Sequence, residues 1–346
     1  MWPNGVDAGA AMPLNVLLTA GSRRVPLVNA FKRALGPLGG RVITTDVNAL
    51  SPAVLVADDA FRVPLATDPE YVPAIEHICR EESIGLLVPT IDDELEIIGA
   101  ARERFEAIGV TVAASPAETA AICNDKHRTS LHLQAHGVKA AASWLAGEVP
   151  KDRAMPLFVK PRSGRGGIGA YAARSRKELD FFLEYVENPV VQEYLDGPEY
   201  TIDMLCDRGW PLSIVPRERV VIRSGVMDRG RTVRSQELID LGRACASCLE
   251  FHGAVNIQCR VVGGTPIVFE INPRFSGGIP LTIEAGADFP RMLVHLALGR
   301  QVAPAIGQFV DGLWMTSYEA SIFVPANRSN DLAPHAGRAK DVKRVS

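Results

Sequence analysis

Residues 158–169 read FVKPRSGRGGIG. An apolar strand pattern ends in Lys160 and Arg162, and four glycines follow within the seven residues 163–169. Such a loop can wrap backbone N–H groups around phosphate oxygens, because glycine reaches the required dihedrals without a Cβ in the way. Lys160 adds a point charge on the entering strand. The order is neither the GxxxxGK[ST] of a P-loop nor the GxGxxG dinucleotide pattern. The stretch therefore points to nucleotide phosphates held in some other frame.

That frame is completed about 100 residues on, where residues 255–278 read VNIQCRVVGGTPIVFEINPRFSGG. Two apolar runs flank Gly263-Gly264-Thr265, which predicts a β-hairpin. Side chains alternate along a strand, so Glu270 and Asn272 share a face, and antiparallel pairing can bring Gln258 to that face too. Three oxygen-bearing side chains then converge where a core strand is otherwise apolar, and a hard cation such as Mg²⁺ takes ligands of this kind. A solvated strand face is the plain alternative, but Val268, Phe269 and Ile271 make the strand a buried one. A buried carboxylate needs a partner. Arg274 follows at the strand end, where a guanidinium can clamp a phosphoryl group in transit. Ser276, Gly277 and Gly278 then let the backbone approach a substrate closely.

Together with NDKHRT (124–129), VQEYLDGPEYTID (191–203), LLTAGSRR (17–24), VADDAFRVP (56–64) and VPTIDDEL (88–95), these motifs resemble the ATP-grasp superfamily. Within it they are similar to stand-alone proteins that look like one half of the carbamoyl-phosphate synthase large subunit. The resemblance spans residues 14–315. It implies an α/β chain in which an amino-terminal Rossmann-like pre-ATP-grasp domain (14–114) precedes a two-subdomain ATP-grasp fold (115–324), with ATP between the subdomains. The first subdomain (115–190) carries the glycine-rich lid, and the second (191–324) the metal and substrate residues. Residues 1–13 read as an extension, with Met12 a candidate natural start, and 325–346 as a loosely packed polar tail.

The resemblance further implies that Lys126 and Lys160 reach the ATP phosphates, with Ser163, Gly164, Gly166 and Gly167 closing over them. It places adenine at the strand-to-turn hinge of Glu193, Tyr194 and Leu195, and gives Glu199 the ribose hydroxyls. Mg²⁺, with Mn²⁺ as an alternative, falls to Gln258, Glu270 and Asn272. Lys160, Asn272 and Arg274 form the catalytic group. The implied activity is an ATP-dependent carboxylate–amine ligase that forms an acyl phosphate and releases ADP and phosphate. Its partners are small carboxylate and amine substrates, and two copies of the chain can associate in the family. A phosphotransferase, a carbamoyl-phosphate-synthase-like activity and a nucleotide-binding module without turnover are the alternatives. The chain has a single ATP-grasp unit and no room for a glutaminase domain.

Composition agrees with a globular enzyme: 346 residues, 47% hydrophobic, 22% charged, net charge −3. That charge gives no reason to expect nucleic acid or an acidic membrane as partner, and no apolar run reaches membrane-spanning length. Six cysteines without a disulfide pattern suit a reducing cytoplasm. Alternating βα patterns over 15–113 predict a parallel sheet: strands at 15–20, 41–45, 85–89 and 110–113, helices at 25–35, 71–82 and 92–108. They also fit a dinucleotide-binding dehydrogenase with Asp46 as ribose acid, but the first loop, TAGSRR, lacks the glycine fingerprint. Ser115 and Glu118 have capping-box spacing for the next helix.

Three further patterns are weighed. Cys245 and Cys248 form a lone CxxC on an amphipathic helix and read as packed thiols. His132 and His136 stand at i,i+4 without the glutamate of a metalloprotease motif and read as helix surface or satisfied core. Residues 217–234 carry six arginines, and Arg219 and Arg223 are the first candidates to face the cleft and hold an anionic substrate.

Overall fold

The computed structural model describes residues 13–164, 166–325 and 343–344. The chain opens with β1 (Asn15–Leu18), α1 (Val25–Leu35), β2 (Val42–Asp46), α2 (Pro52–Val56), β3 (Asp59–Arg62), α3 (Tyr71–Glu81), β4 (Ile84–Val88), α4 (Asp92–Ala100), α5 (Arg102–Glu106) and β5 (Thr111–Val112). Strands β3-β2-β1-β4-β5 pair in parallel in that order. Every residue of β1 and β2 is buried, because helices cover both faces of the sheet. The strand order reverses between β1 and β4, so the loops at 19–24 and 89–92 emerge side by side.

Next come α6 (Ala117–Asn124), α7 (Lys126–Ala135), β6 (Ser143–Leu145), β7 (Leu157–Pro161), β8 (Tyr171–Ala173), α8 (Arg176–Tyr185) and β9 (Pro189–Glu193). Here β6-β9-β7-β8 form a small antiparallel sheet. The last part holds β10 (Glu199–Asp207), β11 (Trp210–Arg223), β12 (Val226–Thr232), α9 (Gln236–Cys248), β13 (Gly253–Val262), β14 (Thr265–Asn272), α10 (Ile279–Glu284), α11 (Phe289–Ala297) and β15 (Trp314–Thr316). Its sheet runs β14-β13-β10-β11-β12-β15, all antiparallel.

Four expectations need correction. The helix predicted over 92–108 is two helices that turn at Ala101 (φ −90°, ψ 4°). The turn lets Arg102 donate to the carbonyls of Val112 and Ala114 at the end of β5. Ser115 does not cap α6: its Oγ accepts the His252 N–H at 3.2 Å, and the helix begins at Ala117 behind Pro116. Arg219 and Arg223, expected to face the cleft, lie on the hairpin β11–β12, which turns at Ser224-Gly225; Arg219 is buried against Glu199 and Arg223 is exposed. Finally, part of the expected loose tail is ordered as β16 (Lys343–Arg344), antiparallel on the edge of β3. Residues 326–342 and 345–346 of the tail, and 1–12 of the extension, lie outside the described residues.

One core cluster joins the first sheet to the last part of the chain. Leu18, Leu27 and Phe31 pack with Phe275, Phe289 and Leu293, and the rings of Phe31 and Phe275 meet edge-on at 6.0 Å. Among the described residues, no helix is long and apolar enough to cross a membrane.

Candidate active site

The glycine loop leaves β7 and returns to β8. Gly164, Gly166, Gly167 and Gly169 all have positive φ, between +67° and +118°. A side chain would be strained at each, which explains the four glycines. Asp125 ties this loop's entry to α7: its carboxylate caps the His127 and Arg128 N–H groups at 3.0 Å each and takes Arg162 Nε at 2.8 Å. The Lys126 N–H bonds the Arg162 carbonyl at 3.0 Å, and Lys126 Nζ reaches the Gly164 carbonyl at 2.8 Å. The NDK and KPR motifs are thereby knitted together.

Lys160 is buried on β7 and its Nζ donates to the Phe269 carbonyl of β14 at 3.2 Å. Burial lowers its pKa from 10.5 to about 8; Glu270 opposes that shift, Lys126 adds to it, and Glu199 opposes it. Residues from three other motifs thus act on one ammonium. Gln192 stands directly opposite Phe158 across β7–β9, so it shares the face of Phe158 and Lys160. Its Nε2 is buried with no partner among the described residues. The only sequence sign of Gln192 is an amide inside the apolar strand PVVQE.

On the second sheet, Gln258 pairs with Glu270 and Asn256 with Asn272 across β13–β14. Asn272 Nδ2 donates to Glu270 Oε1 at 3.1 Å, while its Oδ1 accepts from Arg274 Nη2 at 3.2 Å. Asn256, which has no predicted role, braces the strand end by donating to the carbonyls of Asn272 and Arg274 at 3.2 and 3.1 Å. No three His, Cys, Asp or Glu side chains gather as a metal site among the described residues. The side chains expected to hold a metal are instead one carboxylate and two amides, with the Asn272 oxygen turned to Arg274; by type, such oxygen donors fit a hard cation that keeps water or phosphate in its remaining positions.

Glu199, at the start of β10, is held by two guanidiniums: Arg219 Nη1 at 2.9 Å and Arg260 Nη2 at 2.7 Å. Arg219 is therefore buried beside the expected ribose acid rather than in an open substrate cleft. Its Nη2 donates to the Gly225 carbonyl at 2.8 Å. Gly225 in turn lies against the glycine loop, where an added Cβ would sit 2.4 Å from the Gly166 carbonyl oxygen. Arg223 stands exposed near the hairpin turn and pairs with Asp228 at 3.4 Å and Glu319 at 3.1 Å. At the hinge, the Glu193 N–H already bonds the Ala142 carbonyl, and its carboxylate takes the Ala142 N–H and Arg153. Tyr194 is exposed and Leu195 buried.

Arg274 makes a two-point ion pair with Asp92 of the first domain, Nε to Oδ1 at 2.9 Å and Nη2 to Oδ2 at 2.7 Å. The loop that follows is set by Arg217, which is fully buried: it clamps Asp203 at 2.7 and 3.0 Å and donates to Ser276 Oγ at 2.9 Å. Gly278 passes so close to Arg217 that a Cβ would meet Nη1 at 2.3 Å. Gly277 remains exposed. Asp46 spends its carboxylate on the Ser22 and Asn48 N–H groups at 2.8 and 2.9 Å, as a loop brace. Cys245 is buried in the core on α9, its thiol pushed well up by burial. The His132 and His136 rings lie against each other, tilted by 31° with centroids 4.4 Å apart.

Two family models match the chain: "ATP-grasp in the biosynthetic pathway with Ter operon" over residues 186–320 and "PylC-like, N-terminal domain" over 16–113. The arginine-specific carbamoyl phosphate synthase large chain of Bacillus subtilis (strain 168) is 24% identical over 260 residues, which covers 69% of this chain and 24% of that one. The chain thus spans about a quarter of that relative's length. Among solved structures, the biotin carboxylase domain of Hydrogenobacter thermophilus 2-oxoglutarate carboxylase, in complex with MgADP, ADP and bicarbonate, superposes with a TM-score of 0.68 at 17% identity. That match covers 86% of this chain and 73% of that one. The L-amino acid ligase of Bacillus licheniformis gives 0.66 at 20% identity, covering 82% and 74%. The chain thus carries an ATP-grasp domain, matched over 186–320, preceded by a PylC-like amino-terminal domain, matched over 16–113.

Proposed function

We propose that the protein is an ATP-dependent ligase that activates a small carboxylate as an acyl phosphate and joins it to an amine. The observation that carries this reading is the convergence on Lys160, whose Nζ bonds the Phe269 carbonyl beside Glu270 at 3.2 Å while Lys126 Nζ holds the Gly164 carbonyl of the glycine loop at 2.8 Å; Glu270, Lys126 and Glu199, from three other motifs, all bear on its charge. A triphosphate suits that place, since Lys126 and Lys160 supply positive charge and Gln258, Glu270 and Asn272 supply oxygen donors. Gln258, Glu270 and Asn272 would hold Mg²⁺, which supplies charge neutralisation for the nucleotide phosphates when bound. That the related biotin carboxylase domain binds MgADP supports the assignment.

In the proposed reaction a substrate carboxylate oxygen attacks the γ-phosphorus, and the bond to the β,γ-bridging oxygen breaks to release ADP. The amine nitrogen then attacks the acyl carbon; phosphate leaves, and the nitrogen gives up a proton to solvent. Lys126 and Lys160 offset charge on the transferring group, and Arg274 stands at the end of the strand that bears Glu270 and Asn272. Such chemistry is positioning and electrostatics, so the protein needs no nucleophile of its own. The acyl phosphate hydrolyses in water, and the glycine loop is suited to cover it.

Hydroxylamine tests this reading as a surrogate amine. Incubation with Mg-ATP and a pool of small carboxylic and amino acids should yield a hydroxamate, detected by mass spectrometry, that names the acid. ADP formation with a phosphorylated metabolite and no hydroxamate would make the protein a phosphotransferase instead.

A further inference from the structure

Arg274 is the expected clamp for the phosphoryl group, yet in the structure its guanidinium is held across the domain junction as well as by its own strand end. Its Nε and Nη2 go to the two oxygens of Asp92, Nη2 also reaches Asn272 Oδ1, and Nη1 donates to the Phe275 carbonyl at 3.2 Å. A guanidinium has five N–H groups. Four are taken here, and the fifth, on Nη1, has no protein acceptor among the described residues. Both side chains are about nine-tenths buried, at 11% and 10% exposure.

Asp92 is itself fixed. It opens α4, directly after a turn whose Thr90 and Ile91 N–H groups bond the buried Glu94 carboxylate at 2.7 and 3.1 Å. Thr90 Oγ1 donates to the carbonyls of Thr19 and Ala20, both at 2.9 Å, which locks the turn to the first βα loop. From that loop Arg24 bridges the Thr90 carbonyl at 2.7 Å and the Phe275 carbonyl at 3.0 Å. The carbonyl that receives Arg274 Nη1 is thus also gripped by the first domain.

We propose that Asp92 is a positioning residue for phosphoryl transfer: it presents Arg274 in one orientation, with a single N–H left for a phosphoryl oxygen. This rests on the ligase reading, and it makes the amino-terminal domain part of the active site rather than only a packing partner. Bidentate pairing fixes a guanidinium in plane as well as in place, and small misplacements near a reacting centre are costly.

Calorimetry with Mg-ADP, alone and with aluminium fluoride as a planar phosphoryl mimic, provides the test. The native protein should bind Mg-ADP, and fluoride should tighten it. Asp92→Asn, which keeps shape but loses charge, should leave the Mg-ADP Kd within about twofold and reduce the tightening roughly ten- to hundredfold, the range of one hydrogen bond to a charged group. In an Arg274→Lys background, Asp92→Asn should cost nothing more, because the two residues act as one unit. Equal tightening in Asp92→Asn, no tightening in the native protein, or additive losses in the double variant would overturn the inference. Loss of Mg-ADP binding in both Asp92→Asn and Asp92→Glu would make the pair a structural staple and overturn it too. Failure of the native protein to bind Mg-ADP would overturn the ligase reading itself, and this inference with it.

Discussion

Lys160 is an ammonium that folding has moved out of water, and its pKa of about 8 makes its charge conditional on pH. Below that value the charged form faces the site; above it the free protein is mostly neutral there. A bound polyphosphate favours the charged form, so Mg-ADP binding should take up a proton and weaken as pH rises from 7 to 9. Calorimetry in two buffers of different ionisation enthalpy measures the uptake, and Lys160→Met should abolish it. The sign for stability runs the other way. Because the folded pKa lies below the unfolded one, burial of the charge costs stability fully below about pH 8, and the cost fades as pH rises toward 10.5. Glu270 has the simpler role. Glu270→Gln keeps the hydrogen bond to Asn272 but removes the donor set's one carboxylate, so Mg-dependent ADP formation should fall on the order of 10²–10³-fold. An unchanged rate in a steady-state assay would remove Glu270 from the metal site. Both residues were legible in the sequence because a charge inside an apolar strand is costly and so carries meaning. Asp92 and Arg217 were not, since only their partners across the fold give them work.

Among the elements, the hairpin β11–β12 changes its meaning most between sequence and structure. As sequence it is a basic run; as structure its arginines are consumed by Glu199, Asp203, Glu218 and Asp228. Its tip touches the glycine loop at Gly225, whose φ of +74° already excludes most side chains. Gly225→Ala should cost about 1–2 kcal/mol in the turn and also hold the glycine loop away. The expected result is a several-fold rise in ADP released per product formed, as water reaches the acyl phosphate. A coupling ratio equal to that of the native protein would mean that the hairpin does not seal the loop. The hairpin β13–β14, by contrast, was readable as a hairpin, because its Gly-Gly turn and alternating pattern are local signals, but the bulge between Gln258 and Cys259 that sets Gln258 opposite Glu270 was not. The break at Ala101 and the lost cap at Ser115 were not. Each arises where a tertiary partner, the β5 carbonyls or the His252 N–H, outcompetes the local preference.

At the scale of the whole molecule, the amino-terminal sheet and the last part of the chain share one apolar core through Phe31, Phe275 and Phe289. Asp92–Arg274 and Arg24 fasten the same junction with polar bonds. Domains joined by a continuous core should not unfold independently. Calorimetric unfolding should give one transition, and a fragment starting at residue 115 should bind the dye ANS as a loosely packed state. Two resolved transitions, or a fragment that melts cooperatively, would separate the domains.

The sequence by itself determined the order of the domains, the parallel first sheet, the glycine loop with its two lysines and the hairpin that bears Gln258, Glu270 and Asn272. Those features are written in short-range terms: periodicity, glycine at positive φ, and oxygen donors at strand spacing. Only the tertiary structure decided that Arg219 braces Glu199, that Arg217 sets the loop after Arg274, and that Asp92 reaches across to hold Arg274. A long charged side chain is flexible in sequence terms and takes its role from whichever opposite charge the fold brings within about 3 Å. That partner stands 182 residues away for Arg274 but only 14 for Arg217, and in neither case does the local pattern point to it.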